Sequence, residues 1–396
     1  MDIWKKIGEE RKARFAVGID FGSMFTRCVV AEAHVAGLRY VGHGAVRSTA
    51  SRKGEIISYK AAAYDARRCL EVIGIKEKDA AISVGWGYWG NAIVRCSASM
   101  VVEDGRKIWS SDKEALLRKA ARVAGQVRGM ELDWTEALQW TVDGAAVDDP
   151  WRADGRLLEV DAVSTLVRSA KRSEMTEGLK RNLPSVHSWN FEIVAAWRTL
   201  RPAAAFLDRT LVVDIGAESS AFALCEGETL TEMHGVMNGA TQIIRNTSFG
   251  LGIPFEDGLS LFHRGISGSS EKREGSLSRL SATLFAKETE EFVAALIGDL
   301  SVAQMGGNKF PSTVVLIGGS RSVGRFSEAF EEYFPGEVCL GYPTGIEGFP
   351  NINGITEWCT AYGLALDAGD EVDITEGDIE GSGRGRTYSP RLAQRN

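Results

Sequence analysis

VGIDFGSMFTRCVVAE at residues 17–32 and VVDIGAESSAFALCE at residues 212–226 follow one pattern. In each, an apolar strand ends in Asp, turns through Gly with small hydroxyl residues beside it, and leaves as a second apolar strand. Asp20 aligns with Asp214, and Gly22 with Gly216. Asp and Gly are ordinary turn residues, so one such hairpin carries little weight. Two at matching places in two half-chains indicate an internal duplication, and VVLIGGS at 314–320 adds a third strand ending in Gly318-Gly319-Ser320. Turns of this kind aim backbone N–H groups and the hydroxyls of Ser23, Ser219 and Ser220 at phosphate oxygens, and an Asp can hold the hydration shell of a magnesium ion. Two hairpins facing each other would clamp a nucleoside triphosphate from both sides.

Around these hairpins the chain reads as mixed α/β. Helices are expected at about 61–73, 111–126, 174–183, 195–208 and 356–368, with strands at 80–86 and 312–320 and an extended stretch SVHSWNFEIV at 185–194. The 396 residues, 44% apolar, suffice for one large bilobed body or several smaller domains. With 46 Lys and Arg against 53 Asp and Glu, the formal charge of -7 argues against nucleic acid as a partner. Six scattered cysteines without a Cys-x-x-Cys pair, and five histidines, read as reduced thiols and exclude a structural zinc. His187, His234 and His263 stand apart from Ser and Asp motifs, which removes a hydrolase triad. The P-loop and Gly-x-Gly-x-x-Gly signatures are both missing. No apolar run reaches the length of a membrane span, and no signal-peptide core opens the sequence, so a cytoplasmic protein is expected.

The two ends differ from the body. Residues 1–14 place Ile3, Trp4 and Ile7 on one helical face beside Lys5 and Lys6, a pattern that suits either a peripheral membrane anchor or a helix docked on the protein. Residues 369–396 are acidic, then rich in Gly, Ser and Arg, and read as a disordered tail. Trp86, Trp89, Trp134, Trp140 and Trp151 suit a partner-binding face or a core.

The order strand-Asp-x-Gly, strand-Asp-x-Gly, strand-Gly-Gly resembles the actin, sugar-kinase and heat-shock-chaperone superfamily of ATPases. Within it, residues 15–368 look like the bacterial cell-division protein FtsA family. The resemblance is carried by KGEIISYKAAAYDARRCLEVIG (53–74), QWTVDGAAVDDPWRADGRLLEVDAVSTLV (139–167), LVVDIG (211–216), GVMNGATQIIRNTSFGLGIPFEDG (235–258), VLIGGS (315–320) and YGLAL (362–366), in that order. It implies a two-lobed actin-like ATPase fold, with duplicated mixed sheets flanked by helices and an inserted small α+β subdomain. The first lobe would take 15–83 and 166–200, the insert 84–165, and the second lobe 201–368.

The resemblance further implies ATP with Mg2+ in the cleft. Asp20, Gly22, Ser23, Met24 and Arg27 would hold one side of the phosphates, and Asp214, Gly216, Ala217, Ser219 and Ser220 the other. Gly239 would support the second side, Gly318, Gly319 and Ser320 would approach the adenosine, and Asp20 and Asp214 would reach the metal through water. Implied partners are further copies of the chain, a tubulin-like division-ring protein and other division proteins. Residues 1–12 would touch the inner face of the cell membrane at the division site. Three alternatives stay open: a pilus-assembly adaptor of the same fold, a nucleotide-free scaffold, and a small-molecule kinase.

Several residues depart from the family pattern. Consecutive glycines and threonines usually follow Asp-Ile-Gly, where this chain has Ala217-Glu218-Ser219-Ser220. Glu218 beside a polyphosphate costs binding through like charge unless it turns away or meets a cation. Met24 and Phe25 replace small or basic residues, Arg201 stands where an acid is common, and Asn238-Gly239 replaces a glycine pair. No residue presents itself as the base for hydrolysis, so at most weak turnover is expected.

Overall fold

A computed structural model describes residues 13–34, 36–87, 91–200, 209–227, 229–266, 276–302, 310–319, 325–351, 355–369 and 372. Ile3, Trp4, Lys5, Lys6, Ile7, Trp89, Arg201, Ser320 and the tail from 373 lie outside the described residues.

The first hairpin and its meander are β1 (Phe15–Phe21), β2 (Phe25–His34) and β3 (Gly37–Arg47), followed by the short pair β4 (Ser51–Arg52) and β5 (Glu55–Ile56). Next come α1 (Tyr59–Ile73) and β6 (Ala80–Trp86). The Ser58 hydroxyl accepts from the Ala61 N–H to start α1, and Gly74 at φ 81° ends it. Then follow β7 (Asn91–Val101), α2 (Ser110–Ala124), β8 (Met130–Val142), β9 (Ala145–Val147), β10 (Leu157–Arg168) and α3 (Ser169–Asn182). β11 (Val186–Phe191) runs directly into α4 (Glu192–Leu200). The second hairpin and its meander are β12 (Arg209–Ile215), β13 (Ser220–Glu226) and β14 (Thr229–Val236). The chain continues with α5 (Thr241–Leu251), α6 (Phe255–Ile266), α7 (Ser276–Val302), β15 (Thr313–Ile317), α8 (Arg325–Tyr333), β16 (Glu337–Leu340), β17 (Ile346–Glu347) and α9 (Cys359–Ala368).

The structure divides into two units. Among the described residues, the larger takes those from 13–87, 178–227 and 234–372, and the smaller takes 91–177 with 229–233. In the larger unit, one sheet has the order β11-β6-β1-β2-β3-β17 and the other contains β13-β12-β15-β16. Both Asp-bearing strands sit in the same setting. β1 pairs antiparallel with β2 and parallel with β6, while β12 pairs antiparallel with β13 and parallel with β15. The duplication read from two hairpins therefore extends to the strand on the far side of each. The second sheet packs Leu211, Val213, Ile215 and Phe222 against Phe326 and Phe330 of α8 and Phe292 of α7. Burying side chains of this size at about 1.5–3 kcal/mol each is what holds such a layer together.

α9 lies against the first sheet, with Ala361, Tyr362 and Ala365 packed on Val29 and Ala31. Its approach depends on two glycines. A Cβ on Gly18 would stand 1.9 Å from the Ala361 carbonyl oxygen, and one on Gly363 would stand 2.0 Å from that of Ala195 in α4. β1, α9 and α4 thus meet backbone to backbone.

In the smaller unit the sheet order is β7-β10-β8-β9. One face packs Trp140, Val142, Leu158 and Val160 against Leu116 and Ala120 of α2. The other face is polar, with Ser97, Asp161 and Gln139 in one row and Ser99, Glu159 and Thr141 in the next. α2 begins where Asp112 accepts the Trp109 N–H at 2.8 Å, with Arg106 clamping the same carboxylate at 2.7 and 2.9 Å. Of the tryptophans singled out in the sequence, Trp86 and Trp140 are buried, Trp134 is half-buried, and Trp151 is 47% exposed. Among the described residues, no helix is long and apolar enough to cross a membrane.

Candidate functional site

The two Asp residues end neighbouring layers of the larger unit and sense each other electrostatically. Burial pushes the Asp20 carboxyl up to about 6, opposed by the Arg27 guanidinium. Asp214 is pushed up to about 7 by burial and then by Asp20, opposed by Arg27 and by a hydrogen bond from Thr360. A third acid joins them. Glu192, in the first turn of α4, is held well above the usual carboxylate range by burial and by the charges of Asp20 and Asp214. Like charges close together away from water favour the protonated form, and these three carboxyls form one mutually repelling acidic cluster. Among the described residues, no three His, Cys, Asp or Glu side chains converge on a metal-sized point.

Arg27 is opposite Asp20 in the β1–β2 register. Its guanidinium donates to Glu357 at 2.7 Å and lies between the rings of Phe25 and Trp358, 5.4 and 5.9 Å from their centroids. The Gly-Gly turn presses on this group. Gly318, at φ 97°, leaves 2.3 Å between its Cβ position and Asp214 Oδ1, and Gly319 leaves 2.9 Å between its own and Arg27 Nη2. The glycines expected near adenosine therefore make room for the cleft's own charged side chains.

At the tip of the first hairpin, the Ser23 carbonyl accepts from Arg52 at 3.2 Å and the Met24 carbonyl accepts from the Ser48 N–H at 3.0 Å. The Met24 side chain packs on the core of the second sheet. Gly22 fits tightly in the same turn, with 2.8 Å between its Cβ position and the Phe25 carbonyl.

At the second hairpin, the Gly216 N–H closes the turn onto the Ser219 carbonyl at 3.0 Å. The carbonyls of Gly216 and Ala217 accept from the N–H groups of Ala240 and Thr241 at 3.0 and 2.8 Å, and Ser220 Oγ donates to the Asn238 carbonyl at 2.8 Å. Gly239 lies against Ala217, with only 2.6 Å between its Cβ position and the Ala217 backbone. Ala217, Ser220 and Gly239 thus tie the hairpin to the start of α5. Ser219 stays partly exposed at the tip.

Glu192, Glu357 and Thr360 were not foreseen. Glu192 was expected in an extended stretch. The strand ends at Phe191, whose N–H donates to the Asn190 side-chain oxygen at 2.9 Å, and the helix starts at once, with the Glu in its first turn. The available signal was a lone acid inside the apolar run NFEIVAAW. Two basic groups stand at the hairpins, Arg52 donating to the Ser23 carbonyl of the first and Arg245 lying 4.0 Å from Glu218 on the second.

Paired Asp-Gly hairpins on duplicated sheets, linked by α4, which touches β11 of one and β13 of the other, decide the architecture. The chain has the actin-like ATPase fold. No family model matches it, and no curated protein is a detectable sequence relative. Among solved structures it is similar to the PilM-PilN type IV pilus biogenesis complex, at TM-score 0.59 and 14% identity over 89% of this chain and 98% of that one. A diol dehydratase-reactivating factor in nucleotide-free form matches at TM-score 0.50 and 11% identity over 90% of this chain and 100% of that one. The ethanolamine utilization protein EutJ from Carboxydothermus hydrogenoformans matches at TM-score 0.49 and 15% identity over 92% and 93%. The first two of these likenesses establish the fold, and the comparisons leave the FtsA-like assignment without support.

The residues present fit a nucleotide that enters with a cation. The acidic cluster alone repels a polyphosphate, but a divalent ion reverses that balance, and the arginines at the hairpins suit the phosphate chain.

Proposed function

We propose that this protein is an actin-like adaptor that binds Mg-ATP in the cleft and uses its smaller unit to engage copies of itself or partners of a membrane-bound assembly. The observation that carries the nucleotide reading is the charge layout: three carboxyls with raised titration in one cluster, Arg27 beside them, and Arg52 and Arg245 at the hairpins. Asp20 and Asp214 would hold the hydration shell of the metal, and the hairpin tips at Ser23 and Ser219 would face the phosphates. The metal would supply charge neutralisation. Binding would bridge the two sheets and bias one conformation of the cleft, a population shift in which rapid turnover is not required.

A pilus-assembly adaptor is favoured among membrane assemblies, because the fold similarity to PilM runs over nearly the whole of both chains. A division-ring adaptor is the second reading, supported by the ordered resemblance of residues 139–167. In either case residues 1–12 would supply the membrane contact. Calorimetric titration with Mg-ATP tests the core of the proposal. Binding by the parent chain that is lost in Asp214→Ala is expected, and absence of binding by the parent would leave a scaffold acting through its surfaces alone.

A further inference from the structure

Glu218 is the one acidic residue at the tip of the second hairpin, and its side chain is only 17% exposed. One carboxylate oxygen accepts the Lys53 backbone N–H at 2.9 Å, from the β4–β5 turn of the other half of the larger unit, and the second lies 4.0 Å from Arg245 Nη2 of α5. A backbone amide and a guanidinium are the donor types that bind a phosphate oxygen. The donating turn is held in place. Lys53 and Gly54 both have positive φ, 49° and 73°, and the Gly54 carbonyl is packed so closely on Gly87 that a Cβ there would stand 2.0 Å away.

We propose that Glu218 is an internal anion seated on the donors that a nucleotide's phosphate chain would use, so that Mg-nucleotide binds only by displacing it. This rests on the nucleotide reading above and adds its selectivity. The carboxylate closes the two halves of the cleft on each other without a ligand, and the affinity for polyphosphate is set by competition with it. A neutral side chain at 218 should turn a cleft that closes on itself into one that closes on nucleotide.

The test uses the full chain with Glu218→Ser and the shape-conserving Glu218→Gln, and Glu226→Gln at the far end of the same hairpin as a charge control. Affinity for Mg-ATP and Mg-ADP is measured by calorimetry, and backbone amide exchange is followed in the peptide spanning residues 51–57. Glu218→Ser is expected to bind Mg-ATP at least about tenfold more tightly than the parent, a gain of the size expected when one close like charge is removed. Glu218→Gln should fall between them, and Glu226→Gln should match the parent. The Lys53 amide should exchange slowly in the parent with or without nucleotide. In Glu218→Ser it should exchange fast alone and slowly once Mg-ATP is added. Equal affinities with unchanged exchange would overturn the competition and leave nucleotide binding standing. No binding by any of the chains would overturn both.

Discussion

Replacing Asp214 by Asn should change how the folded chain responds to pH. In the folded chain burial and the neighbouring Asp20 push this carboxyl up to about 7, against an ordinary value of 3.8. Between about pH 5 and 7 the unfolded chain has released the proton while the folded chain still holds it. Stability is therefore fully present below the unfolded value and is lost as pH rises through the folded one, at about 1.4 kcal/mol per pH unit for a single group. From pH 5 to 8 the loss amounts to about 2–3 kcal/mol, shared with Asp20 and Glu192 because the three titrate together. Asn keeps the volume and can still accept the Thr360 hydroxyl, but it has no proton to lose. It also removes one charge that raises Glu192. Urea denaturation at pH 5, 6, 7 and 8 without divalent cations is the assay. The parent should lose about 2 kcal/mol across the series, while Asp214→Asn should lose less than half of that and exceed the parent at pH 8. Parallel pH profiles for the two chains would refute the picture of a mutually repelling acidic cluster.

Three further outcomes are expected. Gly363→Ala should cost about 3 kcal/mol or more, since the new methyl would stand 2.0 Å from the Ala195 carbonyl, whereas Gly298→Ala in α7, with open space around it, should be neutral or stabilising; thermal melts compare them. Arg27→Ala removes the cation that lowers both Asp20 and Asp214, so its destabilisation by urea should be larger at pH 8 than at pH 5. Deleting residues 1–12 should abolish co-sedimentation with vesicles containing anionic lipid, and unchanged pelleting would remove the membrane contact from the proposal.

Both hairpins were legible because a strand ending in Asp-x-Gly is a local signal, repeated within one chain at recognisable distance. The sheets follow from it, and β6 and β15 were both readable as apolar runs. The acids that complete the cleft were not legible. Glu192 and Glu357 reach Asp20, Asp214 and Arg27 from α4 and from the turn before α9, and nothing in their immediate neighbours announces that convergence. Gly318 and Gly319 were read as making way for a ligand, since a sequence does not say which bulky neighbour a glycine accommodates. The structure supplies Asp214 and Arg27 as those neighbours. The same limit applies to the tryptophans, where Trp140 lies under α2 and Trp151 faces solvent although both belong to one stretch of resemblance.

The contact of β1, α9 and α4 through Gly18 and Gly363 has a mechanical consequence. Where side chains interdigitate, sliding two elements requires repacking, and motion comes in discrete steps. Here main chain bears on main chain, and the place that bears the load has no rotamers to rearrange. If such a joint serves as a pivot of fixed position, any rotation about it moves residues more the farther they lie from α9. An engineer wishing to read the state of this molecule should therefore place paired labels far from the pivot, on the β4–β5 turn and at the start of α5, where a small rotation gives the longest stroke.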